Sequence, residues 1–253
     1  MEKAIKKVFD NREEKPLFYI ESGSRLWGIA SPDSDYDVRG IHVQSKSQYY
    51  DINRHRGIVE IMDGDFDFVS YDIDKMFTLL LKSNPTVFEW MRAHIVYYNI
   101  LPNFSKFQKD VMDNIDYKAL FNHYISIARG TLKEFQNEEK FTYKKLFYCI
   151  RGLLSAKLAS DRLIPELSID KLFEQFTKEN KIILLAKETL EMKKQKTEKE
   201  KIPKEKREQI FIIITNFIDE LQVNCPENNN NKEEMYNILK NYAFLLKNEY
   251  YNK

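Results

Sequence analysis

An α+β fold is predicted for this 253-residue chain: a mixed sheet with flanking helices first, then a helical domain. Three observations predict it. β-prone runs are confined to the first hundred residues, helical periodicity takes over after Leu101-Pro102, and a Gly-Ser turn stands shortly ahead of two aspartates spaced one apart.

The first half alternates strands and turns. Leu17 to Ser22 is apolar and β-prone, and Gly23-Ser24 breaks it into a short amphipathic stretch, Arg25 to Ala30. After the turn Ser31-Pro32-Asp33-Ser34, residues 36–43 read as a strand. Runs at 57–62 and 65–70 are joined by Asp63-Gly64, a strong hairpin signal. Asp72 stands where an N-cap belongs for a helix over 72–82, Pro85 opens a helix over 85–91, and a last β-like run covers 94–98. Helices are then predicted at 115–136, 143–160, 169–178, 181–196, 206–222 and 232–250. The expected division is a catalytic domain over 1–105 and a helical domain over 106–253, with no internal repeat.

The order strand, tight turn, helix start aims backbone N–H groups at an anion, so a phosphate suits Gly23 and Ser24. On a strand, Asp35, Asp37 and Arg39 share one face. Two carboxylates roughly 7 Å apart at the backbone can bracket two Mg²⁺ ions about 4 Å apart, and hard cations prefer oxygen ligands. A calcium EF-hand is excluded. Counted from Asp33, its sixth and twelfth positions are Val38 and Gln44, where Gly and Glu are required.

Gly23-Ser24 followed by Asp35-x-Asp37 resembles the signature of the DNA polymerase β-like nucleotidyltransferase superfamily. Gly23-Ser-Arg-Leu-Trp-Gly28, Pro32-x-Ser-Asp-Tyr-Asp-Val-Arg-Gly40, Lys82-Ser-Asn-Pro85 and Phe88-Glu-Trp90 narrow it to the YcgL and RlaP type, over about residues 17 to 160. The resemblance implies that Gly23 and Ser24 hold a nucleotide triphosphate, ATP being the expected one. It implies that Asp35 and Asp37 hold two divalent metals, Mg²⁺ or Mn²⁺. A third carboxylate, also a metal ligand, would help to activate the acceptor hydroxyl. Asp67 falls where the family's third acidic residue does, and Asp65 is the alternative on the same run. Arg25 and Arg39, close in sequence, are expected to add positive charge around the phosphates, the alternative for Arg25 being a solvated residue at the helix start. Lys144, Tyr148 and Arg151, at i, i+4 and i+7, form one stripe of a helix whose apolar side is Leu146, Phe147, Ile150, Leu153 and Leu154. The family has a lysine and an arginine at like spacing, which implies nucleotide contact.

The expected function is therefore transfer of a nucleoside monophosphate from an NTP to a hydroxyl of RNA, protein or a small molecule, with release of pyrophosphate. A pyrophosphate-transferring alarmone synthetase of the same fold is a weaker variant. The alternative from another class is an inactive nucleotide-binding or interaction module.

A net charge of +1 announces no global nucleic-acid field. Cys149 and Cys225 lack metal-ligand spacing, and with no apolar signal core at the N-terminus they suggest a reduced cytoplasmic setting. Apolar runs such as Ile210 to Ile214 are far short of a membrane span. Lys193 to Glu208 carries eight Lys or Arg and four Glu around Pro203 and reads as a solvated hinge; Pro226 to Asn231 reads as a low-complexity loop. His123 reads as structural or partly exposed.

Overall fold

The computed structural model describes residues 1–30, 34–53, 55–135, 137, 141–195, 200–228 and 231–251. The expected turn at Ser31-Pro32-Asp33, residues 196–199 of the basic segment and residues 229–230 of the low-complexity loop lie outside them. In chain order the elements are α1 (Glu2–Phe9), β1 (Lys15–Glu21), α2 (Gly23–Leu26), β2 (Tyr36–Val43), α3 (Lys46–Tyr50), β3 (Ile58–Asp63), β4 (Phe66–Asp72), α4 (Ile73–Leu81), α5 (Pro85–Arg92), β5 (Val96–Asn99) and α6 (Phe104–Asp113). Then come α7 (Tyr117–Glu134), α8 (Tyr143–Ser160), α9 (Ile169–Glu174), α10 (Lys181–Gln195), α11 (Lys204–Val223) and α12 (Lys232–Tyr251). The α+β class holds. Two compact units form, 1–115 with 230–253, and 116–229. Relative to a cut at residue 105, α6 and α12 go to the unit that holds the sheet.

The sheet order is β3-β4-β2-β1-β5, with β2 and β4 parallel and every other pair antiparallel. β1 lies inside the sheet, between β2 and β5, and buries Leu17 to Glu21 without alternation because both faces are covered. One face takes α1: Ile5 and Phe9, four apart, pack into a cluster with Tyr19, Val38, Val59 and Phe68. Tyr19 crosses β2 at Gly40, where a Cβ would stand 2.4 Å from the Tyr19 ring, so only glycine admits it. The same face carries a buried polar chain in which Ser70 Oγ lies 2.7 Å from both the Tyr19 hydroxyl and His42 Nδ1. α4 packs against β2 and β4, and α12 packs against α4, α6 and β2. Tyr242 of α12 stacks on Phe107 of α6 at 3.7 Å between ring centroids and donates to the Pro102 carbonyl.

Local signals explain the boundaries. Gly64, at φ 55°, turns β3 into β4; the Asp72 carboxylate caps α4 by accepting from the Asp74 N–H; Asn84 caps α5, and Pro85 begins it. Three short helices depart from the sequence expectation. α1 is only eight residues long although its apolar residues share one face, α3 buries none of its residues, and α6 exposes much of its surface.

In the second unit α8 is the central helix, packed by α7, α10 and α11. The basic segment is more ordered at its flanks than a solvated hinge. Lys193 is buried, Ile202 is fully buried and hydrogen-bonded to Phe141, and α11 follows Pro203 directly. Among the described residues no helix is long and apolar enough to cross a membrane.

Candidate active site

β2 and β4 run parallel with Asp37 directly opposite Asp67, so two carboxylates from different parts of the chain meet on the sheet face away from Val38 and Phe68. Arg39, two residues along on the same face, binds both. Its guanidinium reaches Asp67 Oδ1 at 3.1 Å and Oδ2 at 2.7 Å, and Asp37 Oδ1 at 2.9 Å. These side chains are only about a quarter exposed or less, at 28% for Asp37, 25% for Asp67 and 17% for Arg39. The bidentate fork fits a carboxylate as a lysine would not.

Gly23 lies against the same carboxylate. It has φ +60°, and a Cβ there would be 2.1 Å from Asp37 Oδ2. The glycine is therefore required by the aspartate as well as by the turn. Ser24 is buried beside it. Two further bonds tie the turn to Asp37: the Ser22 N–H donates to the Asp37 carbonyl at 2.8 Å, and the Asp37 N–H donates to Glu21 Oε1 at 2.9 Å. Glu21 is fully buried, its other oxygen accepts from the Tyr97 hydroxyl, and burial pushes its pKa up. Glu21 and Tyr97 carry no motif, and their sequence signal is limited to one acidic residue closing an otherwise apolar strand.

Asp35 precedes β2 and is exposed, so the shared strand face holds for Asp37 and Arg39 but stops short of Asp35. Asp65 likewise sits in the turn before β4; its carbonyl accepts from the Tyr36 N–H at 2.7 Å. Arg25 holds the segment carrying Asp35. It donates to the Ser34 and Asp35 carbonyls at 2.7 and 3.1 Å and stacks over the Tyr36 ring at 4.1 Å. Trp27 donates to Glu89 at 3.3 Å, joining two of the quoted sequence motifs.

In the second unit Lys144, Tyr148 and Arg151 occupy one stripe of α8. Lys144 and Tyr148 are half-buried and Arg151 is buried. His123 is half-buried and Arg129 exposed, both on α7.

Sequence comparison decides the kinship. Residues 1–243 match RlaP, described as an RNA repair pathway DNA polymerase beta family. The chain belongs to that family. Among similar proteins, "Uncharacterized protein YcgL" of Bacillus subtilis (strain 168) is 31% identical over 192 residues, 75% of this chain and 74% of that one. "Uncharacterized protein MJ0002" of Methanocaldococcus jannaschii is 31% identical over 146 residues, 55% of this chain and 58% of that one. A nucleotidyltransferase-like protein of Exiguobacterium sibiricum 255-15, of known crystal structure, aligns with 98% of this chain and 80% of its own at 12% identity and a TM-score of 0.33, too low to bear on the argument. Membership makes this a nucleotidyltransferase-like protein.

The carboxylates agree in kind with a hard divalent cation, being oxygen donors. Among the described residues, however, no group of three or more His, Cys, Asp or Glu side chains forms a cluster that could hold a metal ion. The arrangement offers Asp37 and Asp67 as a pair, with Arg39 between them and Asp35 outside the strand.

Proposed function

We propose that this chain is a metal-dependent nucleotidyltransferase that moves a nucleoside monophosphate from an NTP, with ATP as the expected donor, to a hydroxyl acceptor. The observation that carries this reading is the register of Asp37 with Asp67 beside a glycine turn that leaves room for Asp37 alone. Asp35, Asp37 and Asp67 would hold Mg²⁺ or Mn²⁺, two ions in the full complement. Cations bound there would neutralise phosphate charge, which is most of what such transfer asks of a protein.

The chain's own residues supply the remainder. Asp67 takes the proton of the acceptor hydroxyl as its oxygen bonds to the α-phosphorus. The bond from that phosphorus to the bridging oxygen breaks, and pyrophosphate leaves with the electron pair. Gly23 and Ser24 hold the triphosphate, and Arg39 offers its guanidinium to phosphate oxygen. Arg25 serves this site by fixing the Asp35 segment. Lys144, Tyr148 and Arg151 are assigned to the nucleotide on the family resemblance. RNA is the favoured acceptor class, because the family is described by RNA repair; protein and small-molecule hydroxyls are the others. A cytoplasmic setting suits such a reaction.

One observation favours a second reading. Arg39 engages both oxygens of Asp67, as a salt-bridged scaffold in an inactive nucleotide-binding module would. Incubation with α-labelled ATP, GTP, CTP or UTP, Mg²⁺ or Mn²⁺, and total RNA or cell protein separates the two. Covalent label on an acceptor supports transfer, whereas retained nucleotide with no labelled product supports the binding module.

A further inference from the structure

We propose that Glu21, held by Tyr97, is a positioning residue that fixes the Asp37 carboxylate for metal binding. The proposal rests on the reading of Asp37 as a metal ligand. Glu21 is the last residue of β1 and is fully buried. A carboxylate in that setting must be fully hydrogen-bonded to be tolerated, and both of its oxygens are used. One accepts from the Asp37 N–H at 2.9 Å, and the other accepts from the Tyr97 hydroxyl.

The location gives these bonds their consequence. The last paired residues of β1 and β2 are Glu21 and Val38, so Asp37 lies one residue beyond the β1–β2 ladder while remaining paired with Asp67 of β4. The Glu21 side chain supplies the acceptor that the strand can no longer provide. Ser22, the next residue, takes the Asp37 carbonyl at 2.8 Å, and Gly23, the one after, leaves the space into which Asp37 Oδ2 fits. Three consecutive residues thus fix the N–H, the carbonyl and one carboxylate oxygen of Asp37, while Arg39 holds the other oxygen at 2.9 Å. Each Glu21 oxygen already accepts a hydrogen bond from within the protein. Glu21 acts through Asp37, and Tyr97 on β5 keeps its carboxylate turned that way.

The test compares the 253-residue wild type with Glu21→Gln, Glu21→Leu and Tyr97→Phe by calorimetric Mn²⁺ titration with a non-hydrolysable ATP analogue, by thermal melting, and by amide exchange at Asp37. Glu21→Gln keeps an acceptor for the Asp37 N–H, and its Mn²⁺ affinity should stay within about threefold of wild type. Glu21→Leu should lose about tenfold or more, the scale for partners that orient a metal ligand. The Asp37 amide should exchange faster while the rest of β2 stays protected. If Glu21→Leu does not fold, Tyr97→Phe, which frees one oxygen of Glu21, should still weaken Mn²⁺ several-fold relative to Glu21→Gln.

Wild-type Mn²⁺ affinity in Glu21→Leu, or in Tyr97→Phe where Glu21→Leu does not fold, overturns the positioning role and leaves the proposed function standing. Mn²⁺ binding absent from the wild type itself overturns the metal reading, and this inference with it. A lowered melting temperature with unchanged Mn²⁺ affinity makes Glu21 structural only and counts against the proposal.

Discussion

Arg39 shows how a single cation decides what two aspartates can do. Its guanidinium satisfies Asp37 and Asp67 together, and all three side chains are partly shielded from water. Fully buried pairs cost about 3–5 kcal/mol to break, and exposed ones contribute about 0–1 kcal/mol. Arg39→Gln should therefore destabilise the protein by roughly 1–2 kcal/mol. Added Mg²⁺ should recover more melting temperature in this variant than in wild type, because two facing carboxylates are then left without their cation; thermal melts with and without Mg²⁺ check this. Gly23 is the second such residue. Gly23→Ala places a methyl group on Asp37 Oδ2 at a backbone angle that costs L-residues about 1–2 kcal/mol, so Mn²⁺ affinity should fall with stability in calorimetric titration. The sequence made Gly23, Asp35 and Asp37 visible as a motif. The clamp of Arg39 on Asp67 was not visible, since it depends on a strand register between residues 28 apart, and neither was Glu21, whose partners lie 16 and 76 residues away.

Elements were most legible where their ends carry chemistry. Asp63-Gly64 turns the β3–β4 hairpin as expected, and Asp72 and Asn84-Pro85 cap the helices they precede. α1 escaped although Ala4, Ile5, Val8 and Phe9 line one helical face, because two turns of helix are too short to stand out before their packing against Tyr19 and Phe68 is seen. The face it covers also has a pH response. His42 is fully buried beside Ser70, and burial lowers its pKa from 6.5 to about 4, so the folded protein holds it neutral. Between those values the unfolded chain binds the extra proton. His42 thus contributes no penalty above pH 6.5, and stability falls as pH drops from 6.5 toward 4, by on the order of 3 kcal/mol. Urea unfolding across that range should show the slope, and His42→Gln should flatten it.

At the scale of the whole molecule, the confinement of the sheet to the first hundred residues was readable from the end of β-like runs near residue 100. The return of α12 was not, because its period resembles that of the helices before it. Burial of Met235, Leu239, Tyr242 and Leu246 makes it part of the first unit's core. Tyr242→Ala removes the Phe107 stack and the bond to Pro102, and should cost about 3 kcal/mol, within the range for large aromatic truncations; denaturant melts check it. Everything functional proposed here depends on the Asp37–Asp67 pair accepting divalent metal beside a nucleotide. The most direct test is Mn²⁺ titration by calorimetry, with a non-hydrolysable ATP analogue present, on wild type, Asp37→Asn and Asp67→Asn. Nucleotide-dependent Mn²⁺ binding is expected in wild type, abolished by both substitutions without unfolding the protein; equal binding in all three, or none in wild type, would contradict a metal site on Asp37 and Asp67.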